Sequence, residues 1–263
     1  MKMADAFGKE KTALMPYFTI GYPDYQTSID VIKACVDAGA DLMELGMPFS
    51  DPLADGPTIQ HSTQVALENG ITIKDCLRAV AELRVSGVEI PLILMGYINP
   101  ILAYGVERFV ADAAEAGVSG FIIPDMPPDE AAEMKTLCES KDLDIVFLLP
   151  PNSSEERMRM VTELSSGFVY LVSVLGITGE RDALPVALAS FVEKVRKLTE
   201  KPLAVGFGIS TPDQAAGVGA VADGVIVGSA LIKAVGQGDD PVAAAGGFVK
   251  SLKKALSASR MEN

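Results

Sequence analysis

The sequence predicts an α/β protein folded as a single (β/α)8 TIM barrel over residues 1–263, with a short N-terminal capping helix. Three observations carry this. Eight short apolar runs recur along the chain, each near-continuous rather than alternating. Amphipathic helical stretches separate them. The length of 263 residues fits eight such units. Near-continuous apolar strands are buried on both faces, the condition of a parallel sheet covered by helices. Right-handed crossovers join such strands, and eight units in about 250 residues close a barrel. An open doubly wound sheet is the alternative, but its usual form has about six strands.

Taken in order, the segment before Thr12 is expected to cap the barrel bottom, and Leu14–Ile20 is the first strand. A helix over Ser28–Asp37 leads to the strand Leu42–Leu45. Helices over Ile73–Val85, Val106–Ala116, Glu130–Ser140 and Glu155–Leu164 alternate with strands Leu92–Met95, Gly120–Ile123, Ile145–Leu149 and Phe168–Val172. The helix Leu188–Leu198, the strands Leu203–Val205 and Gly224–Val227, and the helix Val242–Leu256 complete the pattern. No linker, low-complexity tract or charge run marks a domain boundary.

Composition excludes several classes of function. Thirty-five acidic against 22 basic side chains give a net charge of −13. Phosphate neutralisation along a nucleic acid needs a basic patch, and none is present. No stretch reaches the roughly 18 apolar residues of a membrane span, and the N-terminal ten residues lack the apolar segment of a secretory signal. The expected location is cytoplasmic. Cys35, Cys76 and Cys138 are widely spaced on helical patterns and read as small buried hydrophobes. With His61 the only histidine, no His-rich metal site is available, and neither metal nor cofactor is expected. Carboxylates, tyrosines, lysines and backbone groups must carry the chemistry.

Polar residues gather just after strands: Tyr97 and Asn99 after the third, Asp125 after the fourth, Tyr170 and Ser173 in or at the end of the sixth. In a barrel, the C-terminal strand ends form the active face. The stretch MELGMPFSDPLADGP at 43–57 places Glu44 at the end of the second strand and follows it with a proline-stiffened loop carrying Asp51 and Asp55. An acid there points into the barrel mouth. Burial raises a carboxyl pKa towards the range of a general acid–base group. Asp55 before Gly56 is alternatively a simple turn acid. Met47, Phe49 and Leu53 are expected as exposed apolar members of the loop.

Two glycine-rich stretches follow the last two strands: GFGIS at 206–210 and GSALIK at 228–233, the second opening a short helix. Glycines let backbone N–H groups approach an anion, and a helix N-terminus adds its dipole. Barrels commonly bind phosphate at these loops. The plainer reading is a pair of tight turns. Lys233 lies a turn or more into the helix and need not touch the phosphate.

These blocks resemble the tryptophan synthase alpha subunit family. The 43–57 stretch closely matches its signature and continues through Thr58-Ile59-Gln60. PYFTIGYP at 16–23, GITG at 176–179, GFGIS and Gly228-Ser229-Ala230 agree in family order. The resemblance implies cleavage of indole-3-glycerol phosphate to indole and glyceraldehyde 3-phosphate, with indole passed to a beta subunit in an alpha2beta2 complex. It implies catalytic roles for Glu44 and Asp55. Tyr17, Ile59, Met95, Tyr97, Ile122, Tyr170, Thr178 and Phe207 would contact substrate, and Gly179, Gly208, Gly228 and Ser229 its phosphate. Asp51 is left as a loop-shaping or partner-facing residue. The chain departs from the family at Val174 and Leu175, where many members carry an arginine and a small polar residue. It departs again at Tyr17, where phenylalanine is more usual. Two rival functions remain: a stand-alone lyase releasing indole, and a noncatalytic subunit that only activates a beta partner. The second is expected to lack one carboxylate, and both are present.

Overall fold

The computed structural model describes residues 2–8, 11–173, 183–206 and 208–259. Its strands are β1 (Ala13–Thr19), β2 (Met43–Gly46), β3 (Leu92–Met95), β4 (Gly120–Ile122), β5 (Asp144–Val146), β6 (Leu148–Leu149), β7 (Val169–Val172), β8 (Leu203–Gly206) and β9 (Gly224–Val227). All pairings between them are parallel, in the order β5-β4-β3-β2-β1-β9-β8-β7-β6. The two terminal strands of that list, β5 and β6, are separated in the chain by Phe147 alone. They are halves of the one strand expected at Ile145–Leu149. The first half pairs with β4 and the second with β7, so the sheet closes into an eight-unit barrel.

Seven helices match the expected stretches: α1 (Tyr25–Asp37), α3 (Ile73–Val85), α5 (Val106–Ala116), α6 (Ala132–Ser140), α7 (Glu155–Leu164), α8 (Ala183–Arg196) and α11 (Pro241–Ser259). Three further helices are less legible in the sequence. Helix α2 (Pro57–Glu68) has a polar, weakly periodic first half, α4 (Ile98–Tyr104) contains Pro100, and α9 (Pro212–Gly219) contains two glycines. Their starts still carry signals. Pro57 and Pro212 occupy the first helical turn, where a missing N–H costs nothing, and Thr211 and Gln214 form a reciprocal capping box. Helix α10 (Ser229–Gln237) is the short helix expected after the last strand. Among the described residues no helix is long and apolar enough to cross a membrane.

Strand residues alternate between two buried clusters. Met15 and Tyr17 of β1, Ile93 and Met95 of β3, Ile122 of β4, Tyr170 of β7, Ala204 of β8 and Ile226 of β9 fill the barrel interior together with Leu42. The intervening positions, such as Phe18, Leu45, Leu94 and Phe121, pack outward against the helices. The period of two exists but is invisible in the sequence, because both faces are apolar.

The N-terminal cap is a short 3-10 helix, Met3–Ala6. Met3 and Ala6 are buried in the inner cluster with Phe7 packed against it. The Met3 N–H donates to Asp144 Oδ2 at 3.1 Å, at the start of β5, and the Phe7 ring lies 5.6 Å from that of Phe168. Gly120 and Gly167 make room for the plug. A Cβ on either would come within 2.4 Å or 2.8 Å of Met3 side-chain atoms. With the strand starts stoppered, the barrel is accessible from the strand ends. All three cysteines are buried and free.

Candidate active site

Glu44 is the second residue of β2, so it lies within the strand rather than at its end. Leu42 faces the interior, and alternation turns Met43 outward and Glu44 inward. Its register partners are Tyr17 of β1 and Ile93 of β3. The carboxyl is 1% exposed, and its Oε1 has no hydrogen-bond partner. Burial pushes its pKa up to about 8. Two residues on, the next inward position is Gly46. A Cβ there would sit 2.1 Å from the Tyr17 hydroxyl. Glycine at that point lets the tyrosine ring lie over the neighbouring strand. The same device recurs on the opposite wall, where a Cβ on Gly206 would meet the Tyr170 hydroxyl at 2.2 Å.

Asp55 comes from the loop between β2 and α2 and is half-buried. Burial pushes its carboxyl above the ordinary value, and hydrogen bonding from the Tyr97 hydroxyl offsets part of that rise. Tyr97 also anchors the loop backbone, since the Ala54 N–H donates to its hydroxyl at 3.0 Å. The Phe49 ring packs 5.5 Å from the Tyr97 ring. Behind the loop, Gln60 donates to the Asp55 carbonyl at 2.8 Å, and Thr19 shares a 2.7 Å hydrogen bond with Ser62 of α2. Asp51 is exposed and accepts from the Ser50 hydroxyl at 2.6 Å, a loop-shaping contact. The expectation of three exposed apolar loop residues is corrected: Met47 is buried, Phe49 is half-buried on Tyr97, and Leu53 alone of the three projects, 86% exposed. The backbone that brings Asp55 inward necessarily folds the first half of the loop onto the barrel.

Glu44 and Asp55 line one cavity of about 320 Å³. Tyr17, Ile59, Met95, Tyr170 and Ile226 share its wall with them. Gly208, Ile209, Ser210, Gly228, Ser229, Ala230 and Lys233 complete it. Gly208 has φ +81°, a left-handed backbone that favours glycine. Gly228 caps α10, and a Cβ there would press to 3.3 Å on Tyr17, so the glycine loop abuts the ring that partners Glu44. The cavity therefore runs from two carboxyls among apolar and phenolic side chains to a cluster of glycine and serine amides at a helix start.

The structure thus brings together Tyr17, Glu44, Asp55, Ile59, Met95, Tyr170, Gly208, Gly228 and Ser229. Tyr97 lies outside the lining and acts on Asp55 from behind. Ile122 is likewise outside it, fully buried in the inner cluster. Thr178, Gly179 and Phe207, with Val174 and Leu175, lie outside the described residues. Lining residues that sequence reasoning passed over are Ile209, Ser210, Ile226 and Ala230, and Lys233, which it set apart from the phosphate, lines the cavity as well. Ser210 and Ala230 sit inside the motifs already singled out. Ile226 could be found only from strand register.

The chain has known relatives. Residues 3–259 match the family model of the tryptophan synthase alpha chain. The chain belongs to the tryptophan synthase alpha chain family. The tryptophan synthase alpha chain of Dehalococcoides mccartyi is 48% identical over 255 residues, 97% of this chain and 99% of that one. Among solved structures, tryptophan synthase subunit alpha from Legionella pneumophila superposes with a TM-score of 0.91 at 37% identity, covering 98% of this chain and 99% of that one. The aminoacrylate-bound form of tryptophan synthase from M. tuberculosis gives 0.87 at 36% identity, covering 97% of each. Family membership accounts for the barrel and for the 43–57 stretch together. A turn acid with no further role leaves unexplained why Asp55 and an unpartnered buried glutamic acid share one cavity.

Proposed function

We propose that this tryptophan synthase alpha chain, one barrel domain acting in the cytoplasm, cleaves indole-3-glycerol phosphate to indole and glyceraldehyde 3-phosphate with Glu44 and Asp55 as its catalytic pair. The observation that carries the assignment is the Glu44 carboxyl, buried on the cavity wall with one oxygen unpartnered and its pKa raised to about 8. A buried polar atom without a partner is costly, and a functional role is one reason to retain it. At neutral pH the group holds its proton. It delivers that proton to indole C3, forming an indolenine cation. The resulting carboxylate then takes the proton from the adjacent side-chain hydroxyl. The C–C bond breaks, its electrons return to the ring, and the hydroxyl carbon becomes the aldehyde. One group thus serves as acid and then base. Asp55 accepts a hydrogen bond from the indole N–H and stabilises the cationic ring. Different environments give the two carboxyls different roles.

Tyr17, Ile59, Met95 and Tyr170 form the slot for the indole, with Tyr97 holding Asp55 and Ile122 supporting the floor. Phosphate is assigned to the amides of Gly208, Gly228 and Ser229 at the α10 start. By resemblance, Thr178, Gly179 and Phe207 complete the site. The partner is a beta subunit, which raises activity by favouring the loop geometry that places Asp55. The assay that tests this is release of indole from indole-3-glycerol phosphate, with and without added beta subunit. Slow cleavage accelerated by the partner is expected. Full activity unchanged by the partner supports the stand-alone lyase, and no cleavage in either condition supports the noncatalytic subunit. Two loop variants refine the test. Leu53→Asp is expected to reduce the acceleration while leaving the basal rate within about twofold, because the side chain is exposed. Phe49→Asp is expected to lower the basal rate as well, because it removes the packing on Tyr97.

A further inference from the structure

We propose that Lys233 is the cationic partner of the substrate's phosphate and the residue that makes this site select phosphorylated over unphosphorylated indole-glycerol. The inference rests on the reading of the glycine loops as the phosphate end. Its starting point is a charge imbalance. The protein carries a net charge of −13, and of the two carboxyls lining the cavity Asp55 is the one that acts ionised while Glu44 holds its proton. A phosphate monoester brings about 1.5 to 2 further negative charges at neutral pH. Backbone amides supply partial charges to meet it, whereas Lys233 is the one cationic side chain among the described residues lining the cavity.

Its placement follows from helix geometry. Lys233 stands four residues after Ser229 on α10, so the two share a helix face. Side chains on a helix lean towards its N-terminus. Four residues rise only ~6 Å along the axis, a distance an extended lysine spans. A lysine extended along that face carries its ammonium back towards the amides of Gly228 and Ser229, and Lys233 is exposed whereas Leu231, Ile232 and Val235 are buried.

Other cations held against the barrel already have protein partners. Lys201 donates to the carbonyls of Thr162, Glu163 and Ser165, and Arg84 to those of Gly117, Val88 and Ile90. Lys11 and Lys253 share Asp41, and Arg196 pairs with Asp223. Lys233 forms no ion pair or hydrogen bond with any described residue. An unclaimed lysine on the wall of a cavity with an acidic opposite end is available to a ligand anion. Its contribution is to affinity and capture rather than to the bond-breaking step, since the phosphate is remote from the indole C3.

Steady-state cleavage by the wild-type chain, Lys233→Gln and Lys233→Arg tests the proposal, each with beta subunit present. Lys233→Gln is expected to raise KM about tenfold, with kcat moving far less and Lys233→Arg restoring most of the affinity. The decline of kcat/KM with added salt should flatten in the glutamine variant. Competitive inhibition by glycerol 3-phosphate should weaken about tenfold in that variant, while inhibition by indole, which has no charge to meet, stays unchanged. Equal KM, salt response and glycerol 3-phosphate inhibition in wild type and Lys233→Gln overturns the role of Lys233. Failure of glycerol 3-phosphate to compete even with wild type overturns the phosphate end itself, a distinguishable result.

Discussion

Glu44→Gln is expected to lower indole-3-glycerol phosphate cleavage by about 10²–10⁴-fold or more, because both proton transfers pass through that carboxyl. The substitution is nearly isosteric, so substrate affinity should survive. The pH dependence gives a second readout. Glu44 must start protonated, and with its pKa near 8 the wild-type kcat/KM should fall as pH rises through about 8. Stability carries the same signature. The folded-state value lies above the ordinary value of 4.5, so below that value both folded and unfolded chains hold the proton. Between 4.5 and about 8 the unfolded chain releases it while the folded chain keeps it. The folded state therefore loses stability as pH rises through that window, by at most about 1.4 kcal/mol per pH unit, and the loss levels off above it. Glu44→Gln removes this slope. Urea unfolding of both proteins at pH 5, 6.5 and 8 measures it. Near-normal turnover by purified Glu44→Gln would remove Glu44 from the mechanism.

Asp55→Asn is expected to cost about 10²–10³-fold in kcat, the scale of removing one preorganised group that stabilises developing charge. Affinity should change less, because the charge on the ring develops only after protonation. Tyr97→Phe should give a smaller loss in the same direction. It deletes the hydroxyl that hydrogen-bonds Asp55 and that accepts from the Ala54 N–H, but leaves the carboxylate in place. Asp55 has to be ionised to act, and its pKa is raised above the ordinary 3.8. The acid limb of the wild-type rate profile should accordingly lie above that value, and Asp55→Asn should abolish it. An Asp55→Asn enzyme that retains a third or more of wild-type kcat would reduce Asp55 to a turn residue before Gly56.

Both experiments bear on a loop whose sequence is transparent in one respect and opaque in another. The acids, prolines and glycines of 43–57 are plain to read, and so is their position after the second strand. That Phe49 packs on Tyr97, and that Tyr97 in turn steadies Asp55, joins residues 42 to 48 positions apart in the chain. No local pattern encodes that contact. The same holds for Gly46 and Gly206, whose missing side chains make sense only once Tyr17 and Tyr170 lie across them.

By itself the sequence determined which segments are strands and most of the helices, because near-continuous apolar runs and helical periodicity are local properties set by burial. It determined the family, through a long motif whose residue types serve one chemistry. Tertiary structure alone decided which strand residues face the barrel interior, since both faces are apolar and only pairing register separates Met15 and Tyr17 from Leu14 and Phe18. It decided that the fifth strand divides at Phe147, one half pairing with each neighbour as the sheet closes. It decided that Met47 is covered while Leu53 is exposed, and that Lys233 reaches the cavity. Each of these is a relation between distant parts of the chain. Closure of the barrel fixes such relations in space, and the order of residues along the chain does not express them.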